Sequence, residues 1–244
     1  MNADNQAIRE SMLKKFDGCD SIDPGSPESP SIWLFGIEPG WSKNDQESAA
    51  DQKSNQDDCY SIQTQIKWPF NRNAFKLLAA MHGNGYSVKT YKEFAEKFQP
   101  FVHDSKGYFK GNLYPYACNN VHEWHEYAAR ETGFPDKKSY LQWCSDYRFP
   151  EVKNWVDEYQ PKVFIGVGST YRADFSRAFF GEAVELKEEI FSVNGHGKRI
   201  FYTKVAGKTL FVIPHLSGGK NGLNSNESIR LAGEFIANFL STSS

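Results

Sequence analysis

Two short apolar runs, each ending at a glycine, constrain this fold more than any other feature: Ile32-Trp33-Leu34-Phe35-Gly36 and Val163-Phe164-Ile165-Gly166-Val167-Gly168. A strand that is apolar at every position, not every second one, is covered on both faces, which is the condition of an inner strand in a parallel sheet. The stretch 162–168 is followed by Ser169 and a segment with Tyr171, Phe175 and Phe179 on one helical face, so it predicts a βα unit with Ser169 as the cap. A weaker strand is expected over 108–114, and 199–205 with 209–213 predict a hairpin turning through Ala206-Gly207-Lys208. Helical spacing marks 73–82, 90–98, 226–240 and, less regularly, 121–131, 137–147 and 150–159. Strands alternating with helices predict an α/β fold: a three-layer α/β/α sandwich around a central, mainly parallel four-stranded sheet. Ligands of such sheets bind beyond the carboxyl ends of the strands.

A chain of 244 residues, 39% hydrophobic, is long enough for one sizeable core. Residues 1–30 read as a polar lead-in with an amphipathic turn or two at 8–16, broken by Pro24, Gly25, Pro27 and Pro30. Residues 31–244 then form a single domain, elaborated at about 42–65 and 117–160. The stretch 42–65 is so rich in Ser, Asn, Gln and Asp that it predicts an exposed loop. No apolar run approaches the ~20 residues of a membrane helix, and the start is not signal-like, so a soluble, cytoplasmic protein without a membrane partner is expected. Cys19, Cys59, Cys118 and Cys144 form no CxxC pair and predict reduced thiols without a metal. A net charge of −2 gives no global attraction to a polyanion. Only 198–220, with Lys198, Arg199, Lys204, Lys208 and Lys220 and no acid, offers a local basic stretch.

Three motifs at these strand ends resemble a known family. Leu34-Phe35-Gly36-Ile37-Glu38-Pro39-Gly40 is similar to the first motif of the uracil-DNA glycosylase superfamily, closest to its mismatch-specific uracil/thymine and single-strand-selective branches. Pro69-Phe70-Asn71-Arg72 leads into a helix as the following family segment does, and Pro214-His215-Leu216-Ser217-Gly218 resembles the second motif, after the last strand. The resemblance spans roughly 31–240 and implies a partner, DNA, from which one nucleotide is extruded before its base is cut from the sugar. It implies no cofactor and no metal.

Within that resemblance Glu38 and His215 are the catalytic pair. Glu38 would hold water and face the cationic sugar, and His215 would donate to the departing base as a neutral imidazole. Ile37, Phe70 and Asn112 would bind the base, Phe70 by stacking and Asn112 through its amide. Ser169, Leu216, Ser217, Gly218, Lys220 and Asn221 would meet the DNA, with an apolar side chain filling the vacated stack. Two residues depart from the family pattern: Glu38 is one methylene longer than the usual Asn or Asp, and Leu216 replaces a proline. An altered, modified or bulkier base accounts for both, and so does a non-catalytic relative that binds a nucleobase, a nucleotide or DNA. His122-Glu123-Trp124-His125 spaces its histidines three apart, not the four of a helical zinc motif, and Gly166-Val167-Gly168-Ser169 lacks the third glycine of a dinucleotide loop.

Overall fold

The computed structural model describes residues 3–14, 24–40, 61–118 and 122–242. Six strands form one sheet: β1 (Ile32–Gly36), β2 (Tyr108–Asn112), β3 (Val163–Val167), β4 (Lys187–Val193), β5 (His196–Val205) and β6 (Lys208–Ile213), in the order β2-β1-β3-β6-β5-β4. The first four in that order are parallel, and β5 and β4 add antiparallel strands at one side. The fold is therefore mixed α/β with a six-stranded, mostly parallel sheet, not a four-stranded one. The 199–205/209–213 hairpin is present, but β4 was not expected. Its sequence KEEIFSV is mostly exposed and only Val193 is buried, so it lacks the apolar run that marks an inner strand.

Alternation along the inner strands divides the core in two. Leu34, Ile165, Phe211 and Ile213 face one side, where they meet α3 (Pro69–His82), α4 (Tyr91–Phe98) and α9 (Asn226–Thr242). Trp33, Phe35, Phe164, Leu210 and Val212 face the other, against α5 (Glu126–Thr132), α6 (Lys137–Trp143), α7 (Phe149–Tyr159) and α8 (Arg172–Phe180). Helices thus cover both faces, as the doubly apolar strands require. Burying each such Phe, Leu or Ile side chain contributes roughly 1.5–3 kcal/mol.

Within the first thirty residues, 3–14 and 24–30 are described, and both parts make contact with the rest of the fold. A helix α1 (Ala3–Lys14) packs Met12 fully into the second core, and the guanidinium of Arg9 lies 3.8 Å from the ring centre of Phe134. Buried Arg148 donates to the carbonyls of Met12 (3.1 Å) and Leu13 (2.9 Å) and, from its other nitrogen, to that of Asn112 (3.3 Å), joining this helix to the end of β2. Lys110 N–H donates to the Pro24 carbonyl at 2.7 Å, extending the sheet edge into the same segment. Of the stretch 42–65, residues 42–60 lie outside the described residues, as do Cys19 and Cys59; Ile62–Gln65 form a short helix α2 with Ile62 and Gln65 buried, not an exposed loop. The elaboration at 117–160 is α5, α6 and α7, with a π-helical turn at Cys144–Arg148 joining the last two.

Candidate active site

The carboxyl ends of β1, β3 and β6 lie along one edge of the sheet, and each releases a loop carrying a residue singled out above. After β1 the chain stays paired with the chain after β2: Leu113 N–H donates to the Gly36 carbonyl at 3.0 Å, Tyr114 N–H to that of Ile37 at 2.8 Å, and Gly40 bridges Cys118. This delivers Glu38 beside Cys118. Gly36 is the register partner of Asn112, and a methyl group at Gly36 would stand 2.6 Å from the Asn112 side-chain oxygen. A side chain at Gly36 would therefore displace the Asn112 amide, which leans over the strand end. Ile37 lies against Gly168, the residue that leaves β3 at φ +135°, where a methyl group would come within 2.5 Å of the Ile37 side chain.

Glu38 has a side chain only 6% exposed, and it is not alone. One oxygen, Oε2, accepts from Lys137 Nζ at 2.8 Å, and the same ammonium lies 3.0 Å from Cys118 Sγ. The other oxygen, Oε1, is buried with no hydrogen-bond partner among the described residues. Burial pushes the carboxyl above its ordinary range, and Lys137 draws it part of the way back. Burial also opposes the charge on Lys137, but its bonds to Cys118 and Glu38 outweigh that and hold the ammonium protonated. Neither Lys137 nor Cys118 was expected at the centre. Both belong to the elaborated segment, and nothing in their local sequence marks them.

At β6 the geometry fixes a tautomer. Ser217 N–H donates to His215 Nδ1 at 3.2 Å, and Ser217 Oγ lies 2.7 Å from the same nitrogen. A backbone amide can only donate, so Nδ1 is the acceptor and the ring proton resides on Nε2. The ring has accessible surface, yet the surrounding protein desolvates it enough to press its pKa below the ordinary 6.5. His215 is therefore a neutral donor through Nε2 at pH 7. Phe70, in the first turn of α3, is half-buried with its ring centre 6.2 Å from that of His215, edge to face.

Several expectations change. Leu216 is fully buried in the first core, so it has no surface with which to fill a gap in DNA. The exposed aromatic at this end is Trp68, which precedes α3 by one residue. Ser169 does not cap a helix: it opens a 3-10 turn, Ser169–Tyr171, and its Oγ is buried without a hydrogen-bond partner among the described residues. Ser217 holds the histidine, while Gly218, Lys220 and Asn221 are exposed.

The basic stretch is largely committed. Lys198 is buried, donating to the carbonyls of Lys220 and, at 2.9 Å, Gly222; Arg199 pairs with Glu188 at 3.4 Å, and Lys208 pairs with Asp157. Lys198 thus closes the 215–222 loop from inside. Beyond the sheet, His125 pairs with Glu123 at 3.3 Å, and among the described residues no three His, Cys, Asp or Glu side chains could hold a metal ion. No described helix is long and apolar enough to cross a membrane.

No protein-family model matches the chain, and no curated protein matches it either.

Proposed function

We propose that this protein hydrolyses the N-glycosidic bond of an extruded, damaged, mismatched or modified base in DNA, on a fold of the uracil-DNA glycosylase type. The observation that carries this reading is the placement of an acid and a neutral imidazole at the ends of β1 and β6, with only β3 between them. Strands lie ~4.8 Å apart, so the two strand ends stand about 10 Å from one another, a span that suits a nucleoside between the two side chains. Breaking the bond leaves positive charge on the sugar and negative charge on the base. Glu38, paired with Lys137 and with Oε1 uncommitted, suits water and the cationic sugar, and His215 Nε2–H suits an oxygen of the leaving base.

The other residues divide the remaining work. Phe70 offers a ring face beside His215, and Asn112 offers an amide beside Gly36. Ile37 forms the floor between β1 and β3. Trp68, in place of buried Leu216, supplies the exposed apolar group, and the amides of 218–221 with Lys220 supply the phosphate contacts. The chemistry asks for no cofactor.

A second reading, a non-catalytic member that binds a nucleobase, a nucleotide or DNA, is favoured by the Glu38–Lys137 pair, which commits one carboxylate oxygen before any ligand arrives. Incubation with oligonucleotides bearing uracil, mismatched thymine or modified pyrimidines, followed by alkali, separates the two. Strand breaks at the abasic site support the enzyme; salt-dependent binding with no breaks supports the binder.

A further inference from the structure

We propose that Lys137 is a positioning residue of this centre: it takes one oxygen of Glu38 and so turns the carboxylate to present its other oxygen alone to the ligand. The inference rests on the hydrolytic reading for its consequence but not for its geometry. Three observations carry it. Lys137 Nζ stands 2.8 Å from Oε2 and 3.0 Å from Cys118 Sγ, so the ammonium is itself fixed from two sides. The rings of Trp124 and Tyr140, each 5.4 Å from Nζ, complete its surroundings. Oε1 is buried and lacks a partner among the described residues, whereas buried polar atoms are ordinarily paired.

The location of Lys137 argues against incidental packing. It is the first residue of α6, immediately after the N-cap Asp136, whose side chain accepts from Ser139 N–H at 2.7 Å. A cation at the amino end of a helix faces the positive pole of the helix dipole. With the side chain only 12% exposed, that unfavourable placement is offset by Glu38 and by Asp136. The pair also joins a departure from the family pattern to the elaborated segment. The longer acid at 38 reaches sideways to a cation, and the cation is supplied by the elaborated segment at 117–160.

The groups that bear on the Glu38 charge are Lys137 on α6, Cys118 and His122 after β2, Tyr171 on the turn after β3, and Cys144 at the end of α6. Lys137, the Cys118 thiol and His122 favour the ionised acid, while the Tyr171 phenol and the Cys144 thiol respond to it as like charges. Removing Lys137 therefore raises the pH at which Glu38 ionises.

The test uses the full chain as Lys137→Met, Lys137→Arg and the double variant Glu38→Gln/Lys137→Met, which leaves no unpaired buried charge and reports whether the fold survives. Carboxyl-carbon NMR of labelled glutamate, assigned with Glu38→Gln, follows the Glu38 titration without any substrate. Lys137→Met is expected to move that titration to higher pH, and Lys137→Arg to leave it near the wild type. In single-turnover base release at neutral pH, Lys137→Met is expected to fall tenfold or more, with the acid limb of the pH profile displaced upward and DNA binding retained. An unmoved titration in a folded Lys137→Met protein overturns the proposal, whatever the activity. A moved titration in Lys137→Met, together with a wild type that releases no base, supports the positioning and sinks the hydrolytic reading instead.

Discussion

The side-chain amide of Asn73 donates to the carbonyl of Leu216 at 2.6 Å, tying α3 to the loop that carries His215 across 143 residues of sequence. Both groups are buried, and the same α3 presents Phe70 one turn earlier. The bond thus sets the distance between the aromatic ring and the imidazole from behind. Replacing Asn73 with Ala leaves a buried carbonyl unpaired, at a cost of about 1–3 kcal/mol. Urea unfolding is expected to record that loss, and hydrogen exchange is expected to quicken at the Leu223 amide, which donates to the His215 carbonyl.

Lys198 separates a structural from an electrostatic reading of the basic stretch. Since its ammonium closes the loop by donating to Lys220 and Gly222, Lys198→Met strips two carbonyls of their donor and is expected to destabilise by about 2–4 kcal/mol, using 1–2 per carbonyl. A phosphate contact predicts the reverse: stability unchanged and a smaller salt dependence of DNA binding. Denaturation and a salt titration of the same variant decide between them.

Gly168 is the junction of β1 and β3. Its φ of +135° disfavours any side chain, and a methyl group there meets Ile37 at 2.5 Å. Gly168→Ala is expected to cost about 2–4 kcal/mol from strain and overpacking together. The loss is expected to fall on ligand binding as well, because Ile37 precedes Glu38. Calorimetry with and without a bound abasic-analogue oligonucleotide measures both.

The pH dependence follows from His215. Its folded pKa lies below the unfolded value of 6.5, so the unfolded chain binds the proton more readily. Stability from the neutral ring is present above 6.5 and is lost as pH falls through the lower folded value. Glu38 works in the other sense: its folded pKa is raised, so the stability of its neutral form is present below the ordinary 4.5 and is lost as pH rises through the higher folded value. A stability profile of wild type against His215→Ala should therefore diverge below pH 6.5, the variant losing less. Parallel profiles would contradict the desolvated imidazole.

What the sequence disclosed and what it hid have physical causes. The inner strands were legible because burial on both faces leaves an unbroken apolar signature at 32–36 and 163–167, and strand ends in such a sheet are where a site must lie. The edge strand β4 was hidden because an edge needs only one buried contact, and Lys187, Glu188 and Glu189 are the charged residues that edges of sheets commonly carry. Leu216, Lys198 and Lys137 were hidden for one reason. The type of a side chain does not reveal whether it turns inward, and each takes its role from a partner 24 or more residues away, at Asn73, Gly222 and Glu38. Trp68 was overlooked because the neighbouring Phe70 carried the motif.

In the proposed reaction Glu38 and His215 act on one sugar–base bond. The most direct measurement is single-turnover release of base from a panel of uracil, mismatched-thymine and modified-pyrimidine oligonucleotides by wild type, Glu38→Gln and His215→Ala at neutral pH. Alkali-labile sites are expected with at least one substrate, with a fall of about 10²–10⁴-fold for each variant and binding preserved. No product from any substrate at protein excess, or undiminished product from either variant, would contradict the proposed reaction.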